Sequence, residues 1–252
     1  MRMISVLIAA FKADQWLADS LDSIMSQILP EGWQLEILVG ADGCDASCHA
    51  AIACKNDHMR VISLAHNCGT YVTFNTLMEY AQGELICRFD ADDVMREGYL
   101  CEQILRLEDV ADMTMTWSIY TDPELRPTSY VMAHTHYHPE GGLRRRGSEG
   151  QIVIKRHVWD ALGGFRAWPC GADTDFSKRA ALAGFTIEVI EQFLYYRRTH
   201  KNSLTAHPDT NFQSDIRLEI QAETERLEQA YQNLDFPIKL IPITGQVDDI
   251  YY

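Results

Sequence analysis

Leu85-Ile86-Cys87-Arg88-Phe89 runs directly into Asp90-Ala91-Asp92-Asp93, and the reading of these nine residues decides the fold. A short, largely apolar run bounded by polar residues reads as a buried strand. The three carboxylates in the four residues after it repel one another unless a cation or hydrogen-bond donors compensate. An all-oxygen donor set suits Mg²⁺ or Mn²⁺, commonly held by one or two carboxylates together with substrate phosphates. A solvated acidic loop is the alternative. The buried strand immediately before the acids favours the metal.

Working outward toward the N-terminus, three more strands of the same kind precede this one. Ile4–Ala9 ends in Ala10-Phe11-Lys12, Leu35–Val39 in Ala41-Asp42-Gly43, and Arg60–Leu64 in Asn67-Cys68-Gly69. Between the first two, Trp16, Leu17, Leu21, Ile24 and Met25 recur at helical spacing, with Asp14 as the expected N-cap and Pro30-Glu31-Gly32 as the break. A short helix follows Gly43, and another is expected over 72–81, stopped by Gly83. Strand alternating with helix predicts an α/β domain whose mostly parallel sheet carries helices on both faces. In such sheets ligands bind beyond the carboxyl ends of the strands. Four polar or glycine-containing strand ends at that edge therefore predict a site.

Toward the C-terminus the pattern loosens. Strands are expected at 113–120 and 128–133 around a turn at Asp122-Pro123, then at 152–155, 188–190 and 193–196. His157 begins a short helix ended by Gly163-Gly164, and a second helix covers 175–183. A long helix over 209–234 carries Ile216, Ile220, Leu227, Ala230 and Leu234 on one face. That stripe reads as core, with a homodimer contact as the alternative. The expected organisation is a first half (1–110), a second half of the same domain (111–205), and a C-terminal helix and tail (206–252).

Composition narrows the function classes. The 252 residues are 46% hydrophobic and 23% charged, ordinary for a globular chain. A net charge of −14 argues against nucleic acid as a main partner and against broad docking on anionic lipid. No run approaches the ~18 apolar residues of a membrane span, and the N-terminus reads as a strand rather than a signal peptide; a cytoplasmic protein is expected. Seven cysteines, an odd number, fit a reducing compartment, and Cys44, Cys48 and Cys54 match no zinc spacing.

Taken in order, these segments resemble a family 2 glycosyltransferase with the GT-A fold, over roughly residues 4–205. The resemblance rests on Ala9-Ala10-Phe11-Lys12, Ala41-Asp42-Gly43-Cys44, Asn67-x-Gly69, Phe74-Asn75 and Asp90–Asp93. It continues through Gly163-Gly164-Phe165, Ala172-Asp173-x-Asp175 and Arg197-Arg198-Thr199-His200-Lys201-Asn202-Ser203. It implies transfer of a sugar from a nucleotide-diphosphate donor, with UDP the family's usual carrier, to an acceptor hydroxyl, with inversion and with Mn²⁺ or Mg²⁺. The acceptor would be a saccharide, a lipid-linked sugar or another hydroxyl compound. Nucleotide-sugar contacts would come from Ala9, Ala10, Phe11, Asp42, Asn67, Gly69, Asp90 and Ala91, with Phe11 and Asp42 at the base and Asp90 at the ribose. Asp92 and His200 would hold the metal, with Asp93 able to substitute or assist. Asp173 would be the general base. Asp175 would lie on the acceptor side, residues 1–110 would be the nucleotide-sugar-binding half and 111–205 the acceptor-binding and catalytic half. Trp168, five residues before Asp173, reads either as a stacking surface for an acceptor sugar ring or as a core aromatic.

Three departures stand out: Ala41 replaces an Asp, Phe74 a common Arg, and Ala172 a Glu. They prompt one rival reading, a catalytically degenerate nucleotide- or carbohydrate-binding module. A nucleotidyltransferase is the other, but it needs a basic, glycine-rich phosphate loop that Ala9–Lys12 lacks. His134-x-His136-x-His138 sits beside Pro139-Glu140-Gly141-Gly142 and reads as loop before metal site, and Arg144-Arg145-Arg146 as a solvated basic patch.

Overall fold

The computed structural model describes residues 2–132, 137–138, 142–143, 150–232 and 239–252. The expected histidine and arginine clusters at 134–138 and 144–146 lie outside the described side chains, as does Leu234.

Four parallel strands form the first half in the order β3-β2-β1-β4: β3 (Met59–Leu64), β2 (Trp33–Ala41), β1 (Arg2–Ala10) and β4 (Leu85–Asp90). Along β1 the alternation is strict. Ile4, Val6, Ile8 and Ala10 enter the core beneath α1 (Leu17–Met25), α2 (Asp45–Ala53) and α4 (Tyr99–Asp109), whereas Leu7 enters the opposite core beneath α3 (Thr70–Met78). A strand buried on both faces must lie at the centre of a sandwich of helices, as the alternation predicted. β1 is also where chain order reverses direction, β2 and β3 lying to one side and β4 to the other. A crevice opens at such a point beyond the strand ends. Register puts Ala10 opposite Ala41 and Ala9 opposite Asp90, so three motif segments reach one edge together.

Beyond β4 the sheet becomes mixed. β10 (Ile152–Lys155) runs antiparallel between β4 and β6 (Met113–Thr121), and β11 (Ile187–Arg198) pairs parallel with β6. The two strands expected at 188–190 and 193–196 are one strand, with register shifts between Ile190 and Tyr195. β5 (Val94–Met95) joins β11, β7 (Pro127–Val131) joins β6, and the short strands β8 (Tyr137–His138) and β9 (Gly142–Leu143) extend the far edge. α5 (Arg156–Leu162) and α6 (Ala172–Leu182) cover the same face as α3. α7 (Asp215–Tyr231) packs on α6 through Lys178–Glu228 at 2.6 Å and, through Tyr231, meets Arg166 in the segment between α5 and α6. It begins later than expected because Ser214 caps it, accepting from Arg217 N, after a run of turns. At the other end of the chain, Asp14 does not cap α1; Trp16 occupies that position without a side-chain cap bond.

The last segment was unread in the sequence. β12 (Val247–Tyr251) pairs antiparallel with β3, closing the edge of the first half. On its way it crosses α3: Asn75 donates to Ile243 O at 3.1 Å, and Gly245 N donates to Thr76 Oγ1 at 2.8 Å. Asn75 also exchanges two 2.9 Å hydrogen bonds with the backbone of Phe165. The Phe74-Asn75 and Gly163-Gly164-Phe165 motifs are therefore one joint. A Cβ at Gly164, where φ is 82°, would lie 2.8 Å from Asn75 Oδ1 and 2.9 Å from Trp159. Gly164→Ala is expected to cost about 3 kcal/mol by adding overpacking to left-handed backbone strain. Gly184→Ala, with φ 84° and open space, should cost about 1 kcal/mol from strain alone. Urea denaturation midpoints of the two variants measure the difference.

Candidate active site

A cavity of about 510 Å³ opens over the carboxyl ends of β1 and β4. Ala9, Phe11, Asp90, Ala91, Asp92, Asp93, Asp173 and His200 all lie on its wall. β4 delivers the acidic motif, the start of α6 delivers Asp173, and the segment after β11 delivers His200.

The decisive contact is between His200 Nε2 and Asp92 Oδ2, 2.8 Å apart. Arg198 builds it. The backbone N–H of Arg198 donates to Asp93 Oδ1 at 2.9 Å and its Nε to Asp92 O at 3.0 Å, while Nη2 pairs with Asp19 on α1 at 2.8 Å. The guanidinium also lies 4.4 Å from the Trp16 ring, and Trp16 stacks on His200 with 5.6 Å between centroids. Arg198 thus bolts the end of β11 to the loop after β4, and Trp16 fixes the plane of the imidazole.

These two side chains fit a divalent cation. Adjacent ligands of an octahedral ion with ~2.1 Å bonds are about 3 Å apart, which is the spacing the imidazole and carboxylate already have. His200 Nδ1 accepts from Asn202 N at 3.3 Å, so Nε2 carries the proton given to Asp92, and a cation would displace it. Among the described residues no group of three or more His, Cys, Asp or Glu gathers into a cage. Two protein ligands leave positions for water and phosphate, the usual arrangement for Mg²⁺ beside a nucleotide.

The other acids separate by what surrounds them. Asp90 pairs with Arg88 at 2.7 Å and accepts from Gln151 Nε2 at 2.9 Å. Burial raises its pKa, Arg88 opposes that, and Asp92 adds to it. Asp93 does not fit the metal role the resemblance allowed. It is 2% exposed, and its oxygens are taken by Arg198 N and by Gln151 Nε2 at 2.5 Å. Burial first, then Asp92 and Asp90, push it well above the usual carboxylate range. Asp173 lies in the first turn of α6, its Oδ1 accepting from Thr174 N at 2.9 Å, and burial first, then the nearby Asp173 charge, hold the Tyr71 hydroxyl well above the usual tyrosine range.

Several other expected contacts fall away from the cavity. Asp42 is 2% exposed; Cys68 N at 2.6 Å, Gly69 N at 2.9 Å and Asn67 Nδ2 at 3.1 Å fill its carboxylate. It braces the end of β2 against the start of α3 instead of facing a base. Asn67 and Gly69 serve that same brace. Ala10 points into the core. Asp175, expected on the acceptor side, is 1% exposed and pairs with Arg179 at 2.8 Å and Arg166 at 3.1 Å. Its position two residues after Asp173 turns it inward along the helix. Trp168 packs against the core and under Arg166 at 5.3 Å, off the cavity wall.

Sequence reading missed Arg88, Gln151, Arg197, Tyr71 and Trp16. It also missed Met132, Leu204 and Phe212, which give the cavity an apolar flank next to Arg217. Arg197 donates to the Tyr120 hydroxyl at 2.8 Å. The one available signal was Arg88, a charge inside an apolar strand that demanded a partner.

Known proteins share this fold and parts of this sequence. S. aureus TarS in complex with UDP-GlcNAc has a similar fold, with a TM-score of 0.75 at 17% identity over 94% of this chain and 68% of that one. Mannosyltransferase PcManGT from Pyrobaculum calidifontis, in complex with GDP-Man and Mn²⁺, gives 0.66 at 17% identity over 95% and 67%. An uncharacterised Haemophilus influenzae glycosyltransferase is 28% identical over 109 residues, 42% of this chain and 33% of its own length. A Bacillus subtilis protein assigned as the glycosyltransferase EpsE is 23% identical over 172 residues, 65% and 60% respectively. The chain thus spans less than two thirds of either sequence relative. No helix among the described residues is long and apolar enough to cross a membrane. Residues 5–173, from the first strand to the carboxylate at the head of α6, match the family model of Glycosyl transferase family 2, and the chain belongs to that family.

Proposed function

We propose that the protein transfers a sugar from a nucleotide-diphosphate donor to an acceptor hydroxyl with inversion, assisted by Mn²⁺ or Mg²⁺. The observation that carries this reading is the 2.8 Å contact of Asp92 with His200, 108 positions apart, on the same cavity wall as Asp173. The nucleotide lies along the ends of β1 and β4, with Phe11, 44% exposed, offering an apolar face to the base. Asp92 and His200 hold the cation. When bound, it neutralises charge on the diphosphate leaving group, a contribution of several kcal/mol in order of magnitude.

The remaining chemistry belongs to the chain. The acceptor oxygen attacks the anomeric carbon, and the bond from that carbon to the diphosphate oxygen breaks with its electron pair going to the phosphate. Asp173 takes the acceptor proton. Attack opposite the leaving group inverts the centre, so an α-linked donor yields a β-linked product. The binding-module alternative is met by the same experiment. Thermal-shift screening of UDP, GDP, UDP-GlcNAc and GDP-Man with Mn²⁺ is expected to stabilise the protein with one base series, with the shift lost on adding EDTA. The nucleotide-sugar that binds should also be cleaved slowly to the nucleoside diphosphate with water as acceptor. Binding without cleavage or transfer would favour the module, and no shift with any of the four would sink the reading.

A further inference from the structure

Arg88 sits in the middle of the acidic site yet belongs to none of its expected parts. Its side chain is 6% exposed, on the cavity floor. Nη2 pairs with Asp90 at 2.7 Å, and Nη1 donates to Gly150 O. The guanidinium lies 4.9 Å from the centre of the Phe74 ring and 6.0 Å from that of Tyr71. Its Nε–H is buried and has no hydrogen-bond partner among the described residues. A Cβ at Gly150 would stand 3.2 Å from Arg88 and 3.9 Å from Asp173. The cation therefore lies where the donor-side carboxylate of β4 and the carboxylate of α6 approach each other.

Two features distinguish this from a structural ion pair. First, an arginine kept only for stability seldom leaves a buried N–H unmet, because that omission costs more than a typical hydrogen bond contributes. Second, Phe74 occupies the position where the resemblance places an arginine. Here the guanidinium arrives instead from the neighbouring strand and lies on the Phe74 ring.

Resting on the transferase reading, we infer that Arg88 is a positioning residue of the transfer step. From β4 it supplies the guanidinium that α3 lacks, gripping Asp90 and the backbone of Gly150 that borders Asp173, and so sets the two carboxylates about the reacting bond. Asp90 is gripped directly. Asp173 is approached through Gly150, where a Cβ would stand 3.9 Å from its Oδ2, and the Tyr71 ring lies 6.0 Å from the guanidinium. Lysine cannot replace this arrangement, since a point charge lacks the planar fork that engages a carboxylate and a carbonyl together.

The test compares wild type, Arg88→Lys, Arg88→Leu and the relocated pair Arg88→Leu/Phe74→Arg. It reads kcat and KM for hydrolysis of the nucleotide-sugar found to bind, together with the thermal midpoint and the Mn²⁺-dependent shift with the free nucleoside diphosphate. Arg88→Leu is expected to lose about 100-fold in kcat, with KM within about threefold of wild type. Arg88→Lys, which keeps the charge and guards against a folding failure of the leucine variant, should fall about tenfold at an unchanged nucleotide shift. The relocated pair should recover most of the loss. Wild-type kcat in a folded Arg88→Lys, or a loss in both single variants that lies wholly in KM, overturns the Arg88 role alone. A wild-type protein that neither binds nor cleaves a nucleotide-sugar overturns the transferase reading and this role with it.

Discussion

Asp173→Asn is expected to keep donor binding and to lose about 10²–10⁴-fold in transfer rate, the contribution of a well-placed general base. The amide matches the carboxylate in size, and its oxygen can still accept from Thr174 N. Only the ability to take a proton disappears. Loss of a charge from the first turn of α6 should cost no more than about 1 kcal/mol of stability, so the variant should fold. The measurement is initial-rate transfer or donor hydrolysis beside the Mn²⁺-dependent nucleotide shift. Unchanged rates would remove Asp173 from the chemistry.

The second large effect concerns the cation. Asp92→Ala is expected to weaken Mn²⁺-dependent nucleotide binding more than about 100-fold, beyond what loss of an outer-shell partner does to a metal site. His200→Ala should behave alike, and the double variant should be little worse than either single one, because both remove the same bound ion. Stability should change little. The Asp92–His200 pair is only partly buried, at 24% and 13% side-chain exposure, and such pairs contribute about 1 kcal/mol or less. The loop also keeps its backbone bond from Arg198 Nε to Asp92 O. Titration of Mn²⁺ against protein with UDP or GDP by calorimetry reads the effect; an Mn²⁺ dependence that survives in Asp92→Ala means the ion sits elsewhere.

Of the residues these predictions use, Asp92 stood out in the linear chain, and the reason is local. The apolar runs of β1 and β4 are properties of a few consecutive residues, and they announce a buried strand wherever its neighbours lie. Polar residues ending such strands must gather at one edge once the strands are parallel. Asp90 and Asp92 stood out as candidates on those terms, and Ala9 and Asp173 came from the resemblance. His200 needed the resemblance alone, since nothing near it in sequence distinguishes it from a core histidine.

The misread acids mark the opposite limit. Asp42, Asp93 and Asp175 carry the same carboxylate as Asp92, yet each is filled from elsewhere. Asp42 meets the N–H groups before α3, Asp93 meets Gln151 and the backbone of Arg198, and Asp175 meets two arginines. Gln151 was overlooked for the same reason, as it acts on Asp90 and Asp93, 61 and 58 positions away.

The amino-acid sequence by itself determined that this chain builds a two-faced sheet with acids at one rim, because side-chain period and strand-end chemistry are set within a few residues. Only the tertiary structure decided which acids remain open to a substrate and which are consumed in holding the rim together. That choice depends on donors brought in by β10, β11 and α3, and a carboxylate's work is defined by what reaches it across the fold.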